Sequence, residues 1–138
     1  MRVFLDTNVL VSALATRGLC SELLETVINE HELLIGDPVL KELRRVLADK
    51  LRLPKPLIAS FEDLLKTEGQ IIVPEGTLAL SFEDVDDIPI LACAVFAHAD
   101  VVVTGDKALL ELRSIGGIPI LSPRQLWQKL SGLEGQES

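Results

Sequence analysis

Short runs of apolar residues alternate along this chain with longer segments whose apolar residues recur at helical spacing. This alternation is typical of a parallel β-sheet whose strands are joined by crossover helices. The predicted strands are Arg2–Leu5, 33–35, 70–73, Val101–Val103 and Ile118–Leu121. The sequence therefore predicts an α/β fold built on a parallel sheet.

Two of these runs also indicate where their strands lie in the sheet. Val101–Val103 has three consecutive valines without polar alternation, as expected of a central strand covered on both faces. Ile118–Leu121 contains Pro119, which cannot donate a ladder hydrogen bond, and this predicts an edge strand. Residues 86–97 are apolar almost all round and predict a buried central helix.

Length and composition indicate how the chain is organised. Its 138 residues, 48% of them apolar, fit one globular domain, which we expect to cover residues 1–130 and to end in a frayed tail at 131–138. Cys20 and Cys93 lack the spacing of a zinc site and are expected to be buried free thiols. Asp6 lies where a signal peptide needs apolar residues, and no apolar run is long enough to span a membrane. We therefore expect a cytoplasmic protein without a membrane segment.

The charge balance excludes one way of holding nucleic acid. With 13 Lys and Arg against 21 Asp and Glu, the net charge is −8, which argues against a broad basic surface for phosphate. Aromatic residues make up only 4% and Tyr is absent, so stacking platforms for single strands are not expected. An enzyme that meets phosphate through bound cations remains compatible with this composition.

Two acids follow predicted strands. Asp6 comes directly after the first strand, and Asp106 follows Val101–Val103 after a Thr-Gly pair. Ligands of open parallel sheets bind beyond the carboxyl ends of the strands. If these two strands are parallel neighbours, the two carboxylates converge at one edge of the sheet.

Two more acids are candidates for the same edge, and each of the four has a structural alternative. Asp87 begins the predicted buried helix, and Glu42 borders the apolar stripe of another helix. Taken alone, Asp6 and Asp87 could cap helices, Asp106 could be a turn residue, and Glu42 could lie on a solvated helix face.

Taken together, the acids favour metal chemistry. Carboxylates that meet within a few ångström repel one another unless a cation neutralises them, and Mg²⁺ prefers such oxygen ligands. The two histidines, His31 and His98, have no Ser or Cys nucleophile beside them in the sequence, so a catalytic triad is not indicated. The residues alone therefore favour metal-assisted hydrolysis of phosphodiesters.

Four segments of the chain resemble the PIN domain family. They read VFLDTNVLVSAL at residues 3–14, DPVLKEL at 37–43, EDVDDIPILACA at 83–94 and VVVTGDKALL at 101–110. The nearest resemblance is to VapC-like toxin components of prokaryotic type II toxin–antitoxin systems, and it extends from Arg2 to about Leu130.

The resemblance implies a three-layer α/β/α sandwich with a central five-stranded parallel sheet, acting as a Mg²⁺- or Mn²⁺-dependent endoribonuclease. The positions that match the four family acids are Asp6, Glu42, Asp87 and Asp106. The three aspartates would hold metal, and Glu42 would complete the cluster and help to orient the attacking water. Asn8 and Thr104 match polar positions that support the acids. The family also implies an RNA substrate, a homodimer and a cognate antitoxin that covers the active site.

Two details of the matched segments stay open. The third acid could be Asp86 or Asp87, and we prefer Asp87 because its spacing to Ile90 and Ala92 follows the family register. Four basic residues near the acids could contact phosphate or lie on solvated helix faces: Lys41, Arg44, Arg45 and Lys107.

Two other functions compete with the nuclease. A catalytically silent PIN-fold module could bind a protein partner through the same groove. A metal-dependent phosphatase or phosphoacceptor domain would also use an aspartate at a strand end, but it needs a second Asp where this chain has Asn8.

Overall fold

The computed structural model describes residues 1–73 and 88–132. Over these residues it contains six strands: β1 (Arg2–Leu5), β2 (Glu32–Gly36), β3 (Gly69–Ile72), β4 (Val101–Val103), β5 (Ser114–Ile115) and β6 (Ile118–Leu121). The predicted α/β fold with a mainly parallel sheet flanked by helices is confirmed.

The helices separate the strands as the crossover pattern predicted. They are α1 (Thr7–Ala15), α2 (Leu19–Glu30), α3 (Asp37–Arg45), α4 (Lys55–Glu68), α5 (Ile88–Phe96), α6 (Lys107–Leu112) and α7 (Pro123–Leu130), with a π-helical turn at Val46–Lys50 directly after α3. None of the helices in the described ranges is long and apolar enough to cross a membrane.

The sheet has the strand order β3-β2-β1-β4-β6-β5. All neighbouring pairs are parallel except β5 and β6, which are antiparallel. The expected five parallel strands are present, but the count was wrong by one, because the two-residue strand β5 is too short to leave a hydrophobic period.

The edge position predicted for Ile118–Leu121 was wrong, because β5 lies beyond it. Pro119 is nevertheless tolerated there. On its β4 side β6 pairs through Ile120 and Leu121, and Pro119 lies opposite Ser114 of β5. Pro119 is therefore not one of the residues that pair with β4, and the parallel pairing does not depend on a proline N–H.

The core is formed by the central strands and the helices that cover them. Val101, Val102 and Val103 are no more than 1% exposed, as their uninterrupted apolar run predicted. In α5, Leu91 and Cys93 are fully buried, but Phe96 is 45% exposed. The helix is therefore not buried on every side. The free-thiol prediction holds for both cysteines, although Cys20 is only partly buried.

Strands β1 and β2 and helix α5 approach one another closely at Gly36. A Cβ added to Gly36 would lie 3.1 Å from Phe4 Cζ and 3.2 Å from Cys93 Sγ. Glycine at the end of β2 therefore allows this close approach between sheet and helix.

The chain order of the strands reverses between β1 and β4. From β1 the chain continues to β2 and β3 on one side, and it then returns to place β4 against the other side of β1. In open α/β sheets, the carboxyl ends of the strands at such a switch point form the crevice in which ligands bind. The fold therefore directs attention to the residues that follow β1 and β4.

Candidate active site

Asp6 and Thr104 leave the sheet side by side. In the parallel register of β1 and β4, Leu5 lies opposite Val103, and the Asp6 backbone N–H donates to the Val103 carbonyl at 2.9 Å. The predicted adjacency of the two strands is correct, and the segments carrying Asp6 and Asp106 begin at the same edge.

Asp6 caps a helix with one of its two carboxylate oxygens. Its Oδ1 accepts the Thr7 backbone N–H at 2.8 Å, so the side chain caps α1. Its Oδ2 faces the β4 side, and the residue as a whole is 5% exposed. The capping alternative is therefore correct, and it leaves the second oxygen for other contacts.

Thr104 is the buried hub of the hydrogen-bond network. Its hydroxyl donates to Asp6 Oδ2 at 2.8 Å and accepts from the Asp106 backbone N–H at 3.0 Å and from Asn8 Nδ2 at 3.3 Å. A hydroxyl has one hydrogen and two lone pairs, so this one is fully used. Thr104 thereby fixes the Asp6 carboxylate relative to the loop that carries Asp106.

Asn8 joins the same loop to the start of α1. Its Oδ1 accepts the Gly105 backbone N–H at 2.8 Å, and its Nδ2 lies 3.4 Å from Asp6 Oδ2. Asn8 and Thr104 thus both contact the buried carboxylate of Asp6, and the family resemblance implied a supporting role for both residues.

Glu42 reaches this region from α3, which packs against α1. The Thr7 hydroxyl donates to Glu42 Oε2 at 3.4 Å. Thr7 was not among the predicted site residues, although its position directly after Asp6 in the Asp-Thr-Asn run was a signal for it. Thr7 therefore contacts both acids: its backbone N–H donates to Asp6, and its hydroxyl donates to Glu42.

Asp106 also caps a helix. Its Oδ1 accepts the Ala108 backbone N–H at 2.8 Å, at the start of α6. Asp106 is thus a helix N-cap rather than the turn residue of the alternative interpretation, and it also borders a cavity.

Asp6, Glu42 and Asp106 line one cavity of about 390 Å³. The structure therefore brings together three of the four predicted acids. Thr7 and Asn8 line the cavity beside them, and the remaining wall is formed by Val11, Ser12, Ala15, Thr16, Val46, Leu51 and Ile90. This largely apolar wall was not predicted from the sequence.

The electrostatics of the cavity are unfavourable without a cation. Burial raises the pKa of the Asp6 carboxyl, and the nearby negative charges of Glu42 and Asp106 raise it further, whereas hydrogen bonds from Thr104 and Thr7 oppose the rise. No Lys or Arg of the described residues lines the cavity. A cation placed among these carboxylates would relieve both the burial cost and the repulsion.

The third predicted acid, Asp87, and its alternative, Asp86, lie outside the described residues. Within residues 1–73 and 88–132, no three His, Cys, Asp or Glu side chains gather closely enough to form a metal-binding group by themselves. The donor set of Asp6, Glu42 and Asp106 consists of carboxylate oxygens, which fit a hard divalent cation such as Mg²⁺ or Mn²⁺.

The four basic candidates do not line the cavity. Arg44 forms a two-pronged ion pair with the buried Glu62, with Nε–Oε1 at 2.7 Å and Nη2–Oε2 at 2.9 Å. Hydrogen bonding from Arg44 holds the pKa of Glu62 below its usual range. Lys41 pairs with Asp37 at 3.1 Å on the surface of α3. For these two residues the structural alternative is the better interpretation.

Comparisons with known proteins agree with this architecture. A sequence model described as the PIN domain matches residues 2–108. A search of curated proteins found no match. Fourteen chains of solved structures match, among them the crystal structure of VapBC2 from Rickettsia felis bound to a DNA fragment from their promoter. That chain is 18% identical, the alignment covers 88% of this chain and 98% of that one, and the TM-score is 0.65. At this identity the likeness supports the fold.

Proposed function

The chain belongs to the PIN domain family, and from that premise we propose that it is a metal-dependent endoribonuclease. RNA phosphodiester bonds are hydrolysed in the cavity that Asp6, Glu42 and Asp106 share. One observation carries the proposal: the buried Asp6 carboxylate lines one cavity together with Glu42 and Asp106, and no Lys or Arg of the described residues lines that cavity. Such an arrangement is costly for a structural site and useful for holding a catalytic cation.

The acids have distinct roles in this proposal. Asp6 and Asp106, with Asp87, hold Mg²⁺ or Mn²⁺, and Glu42 completes the cluster and orients the attacking water. When bound, the metal supplies the positive charge that activates water and neutralises the phosphate. Thr104 and Asn8 keep the Asp6 carboxylate in place through the hydrogen bonds at 2.8 and 3.4 Å. Which of Asp86 and Asp87 is the third acid is part of the same proposal.

The negative charge of the chain fits a cation-dependent interaction with RNA. The net charge is −8, and the four proposed acids account for half of it. Without a divalent ion, the cavity repels phosphate. We expect chelation to remove RNA affinity as well as cleavage.

The biological role that we propose is that of a toxin in a toxin–antitoxin pair. Two findings support it: membership of the PIN domain family, and the likeness of the fold to a chain from the VapBC2 structure. We further propose a cognate antitoxin as the partner, a homodimer as the assembly and the cytoplasm as the location.

A cleavage assay with matched variants tests the catalytic proposal. Purified wild type is incubated with mixed RNAs and Mn²⁺ or Mg²⁺, with and without chelator. Asp6→Asn removes a proposed ligand, and Asp63→Asn is the control because Asp63 is an exposed acid of α4 outside the cavity. We expect metal-dependent cleavage by the wild type and by Asp63→Asn, and loss of at least about 100-fold for Asp6→Asn.

Two results would contradict the proposal. One is a wild type that leaves all RNAs intact with either metal, which together with absent metal binding in calorimetry would favour a silent binding module. The other is equal cleavage by Asp6→Asn and the wild type, which would point to a contaminating nuclease.

A further inference from the structure

The cavity combines the carboxylates with an apolar wall along α1. Thr7, Val11 and Ala15 are spaced at i, i+4 and i+8, so they lie on one face of this helix, and all three line the cavity. At a rise of ~1.5 Å per residue, this face extends about 12 Å away from the helix start where Asp6 lies. The cavity therefore reaches two helical turns beyond the acids.

The apolar wall continues at the π-helical turn Val46–Lys50. The Leu51 backbone N–H donates to the Val46 carbonyl at 3.0 Å, and the side chains of these two residues line the cavity. Leu51 is 41% exposed, which is high for a leucine that faces a cavity. Single π turns often occur at functional sites, and this one places two apolar side chains on the cavity wall.

We infer that the wall formed by Val11, Ala15, Val46 and Leu51 is a base-binding pocket, which takes one nucleobase of the RNA beside the scissile phosphate. This inference rests on the proposed function. The wall is apolar and uncharged, so it suits the face of a base, and none of its four side chains carries a positive charge that would hold a phosphate. The Thr16 hydroxyl donates its hydrogen to the Ser12 carbonyl at 2.7 Å, so its lone pairs and the Ser12 hydroxyl are the polar groups that this part of the cavity offers to the base edge.

Continuity of the cavity identifies the occupant as substrate. The apolar wall and the acids bound one space, so a group seated on the wall is within a short reach of the reacting phosphate. Binding of the base then positions that phosphate and gives the enzyme a base preference at one position next to the cleaved bond.

Leu51→Ala tests the pocket, with Leu57→Ala as its control. Leu57 lies on α4 outside the cavity and is 43% exposed, so its truncation matches that of Leu51 in chemistry and exposure. The substrate is an RNA that the wild type cleaves, made intact and with a single abasic nucleotide at each position flanking the cut. KM and kcat are measured for every protein and RNA pair.

For the wild type, we expect one abasic position to raise KM about 10-fold with little change in kcat. Leu51→Ala raises KM for intact RNA by a similar factor and shows no further rise with that abasic RNA, because the same contact is already lost. Leu57→Ala behaves as the wild type.

The inference is overturned if the two effects multiply, or if Leu51→Ala cleaves intact RNA with unchanged KM. In those cases the nuclease proposal survives, since the wild type still cuts. A wild type that cuts no RNA overturns the nuclease proposal and the pocket together.

Discussion

The Thr104 hydroxyl donates to Asp6 Oδ2 at 2.8 Å across the junction of β1 and β4, and the Thr104 oxygen accepts the Asp106 backbone N–H at 3.0 Å. One buried hydroxyl therefore holds two proposed metal ligands in register. The two acids come from segments 100 residues apart in the chain, and the parallel pairing of β1 and β4 brings them together.

Replacing Thr104 tests this coupling. Thr104→Val keeps the shape, but Asp6 Oδ2 loses its 2.8 Å donor and the Asp106 N–H loses its acceptor. We expect RNA cleavage to fall about 10- to 100-fold, the usual cost of losing a residue that supports a metal ligand. Thr104→Ser keeps the hydroxyl and should stay within a few-fold of the wild type. Initial cleavage rates in Mn²⁺ provide the measurement, and equal rates for the two variants would contradict the role of the hydroxyl.

Divalent ions should stabilise the folded protein. Ions that bind only the native state add about 3 kcal/mol to the free energy of unfolding at 100-fold excess over Kd. Thermal unfolding with and without Mn²⁺ should therefore show a Tm rise of several degrees for the wild type and for Asp63→Asn. Asp106→Asn should lose most of this rise. Its own fold should be little affected, because asparagine is also a good helix cap. A full Mn²⁺ response in Asp106→Asn would exclude this carboxylate as a ligand.

Gly36 should not tolerate a side chain. Gly36→Ala places a methyl group 3.1 Å from Phe4 Cζ and 3.2 Å from Cys93 Sγ, so the free energy of unfolding should fall by about 1–3 kcal/mol. Gly18→Ala is the matched control, because Gly18 also precedes a helix and an added Cβ there meets nothing within 4 Å. Urea denaturation of the two variants measures the difference, and equal midpoints would contradict the tight packing.

Cys93 should make stability sensitive to alkaline pH. Burial, with a smaller contribution from the charge of Asp37, raises the pKa of its thiol from 9.0 to about 11. The unfolded thiol then ionises first, so its contribution to stability is complete below pH 9 and is lost as pH rises towards 11.

At about 1.4 kcal/mol per pKa unit, the wild type should lose roughly 2 kcal/mol more than Cys93→Ser over this interval. Denaturant melts at pH 8 and at pH 10.5 provide the comparison. Parallel losses in the two proteins would mean that the thiol ionises as easily in the fold as in the unfolded chain.

The sequence predicted the five parallel strands, though not β5, and it predicted the edge of the sheet where Asp6 and Asp106 lie. Val101–Val103 is buried and central because nothing in that run is polar, and Asp6 follows β1 because the apolar run stops there. Both features follow from the local order of apolar and polar residues, which is visible in the sequence without a structure.

Other features depend on contacts between distant segments. The π turn at Val46–Lys50 and the exposed Leu51 were not predictable, because a turn of one extra residue leaves no period in the sequence. The pairing of Arg44 with the buried Glu62 was also missed, since each residue alone looks like part of a solvated helix face. Asp87 stays a prediction, as it lies outside the described residues.

Anomalous diffraction from crystals grown with Mn²⁺ tests the central claim most directly. We predict a manganese peak in the cavity, within bonding distance of Asp6 and Asp106, with Asp87 rather than Asp86 as the third aspartate ligand. Crystals of Asp106→Asn should lose or weaken that peak. A cavity without manganese, in crystals of a protein shown to cut RNA in the same buffer, would contradict the claim that these carboxylates hold the catalytic metal.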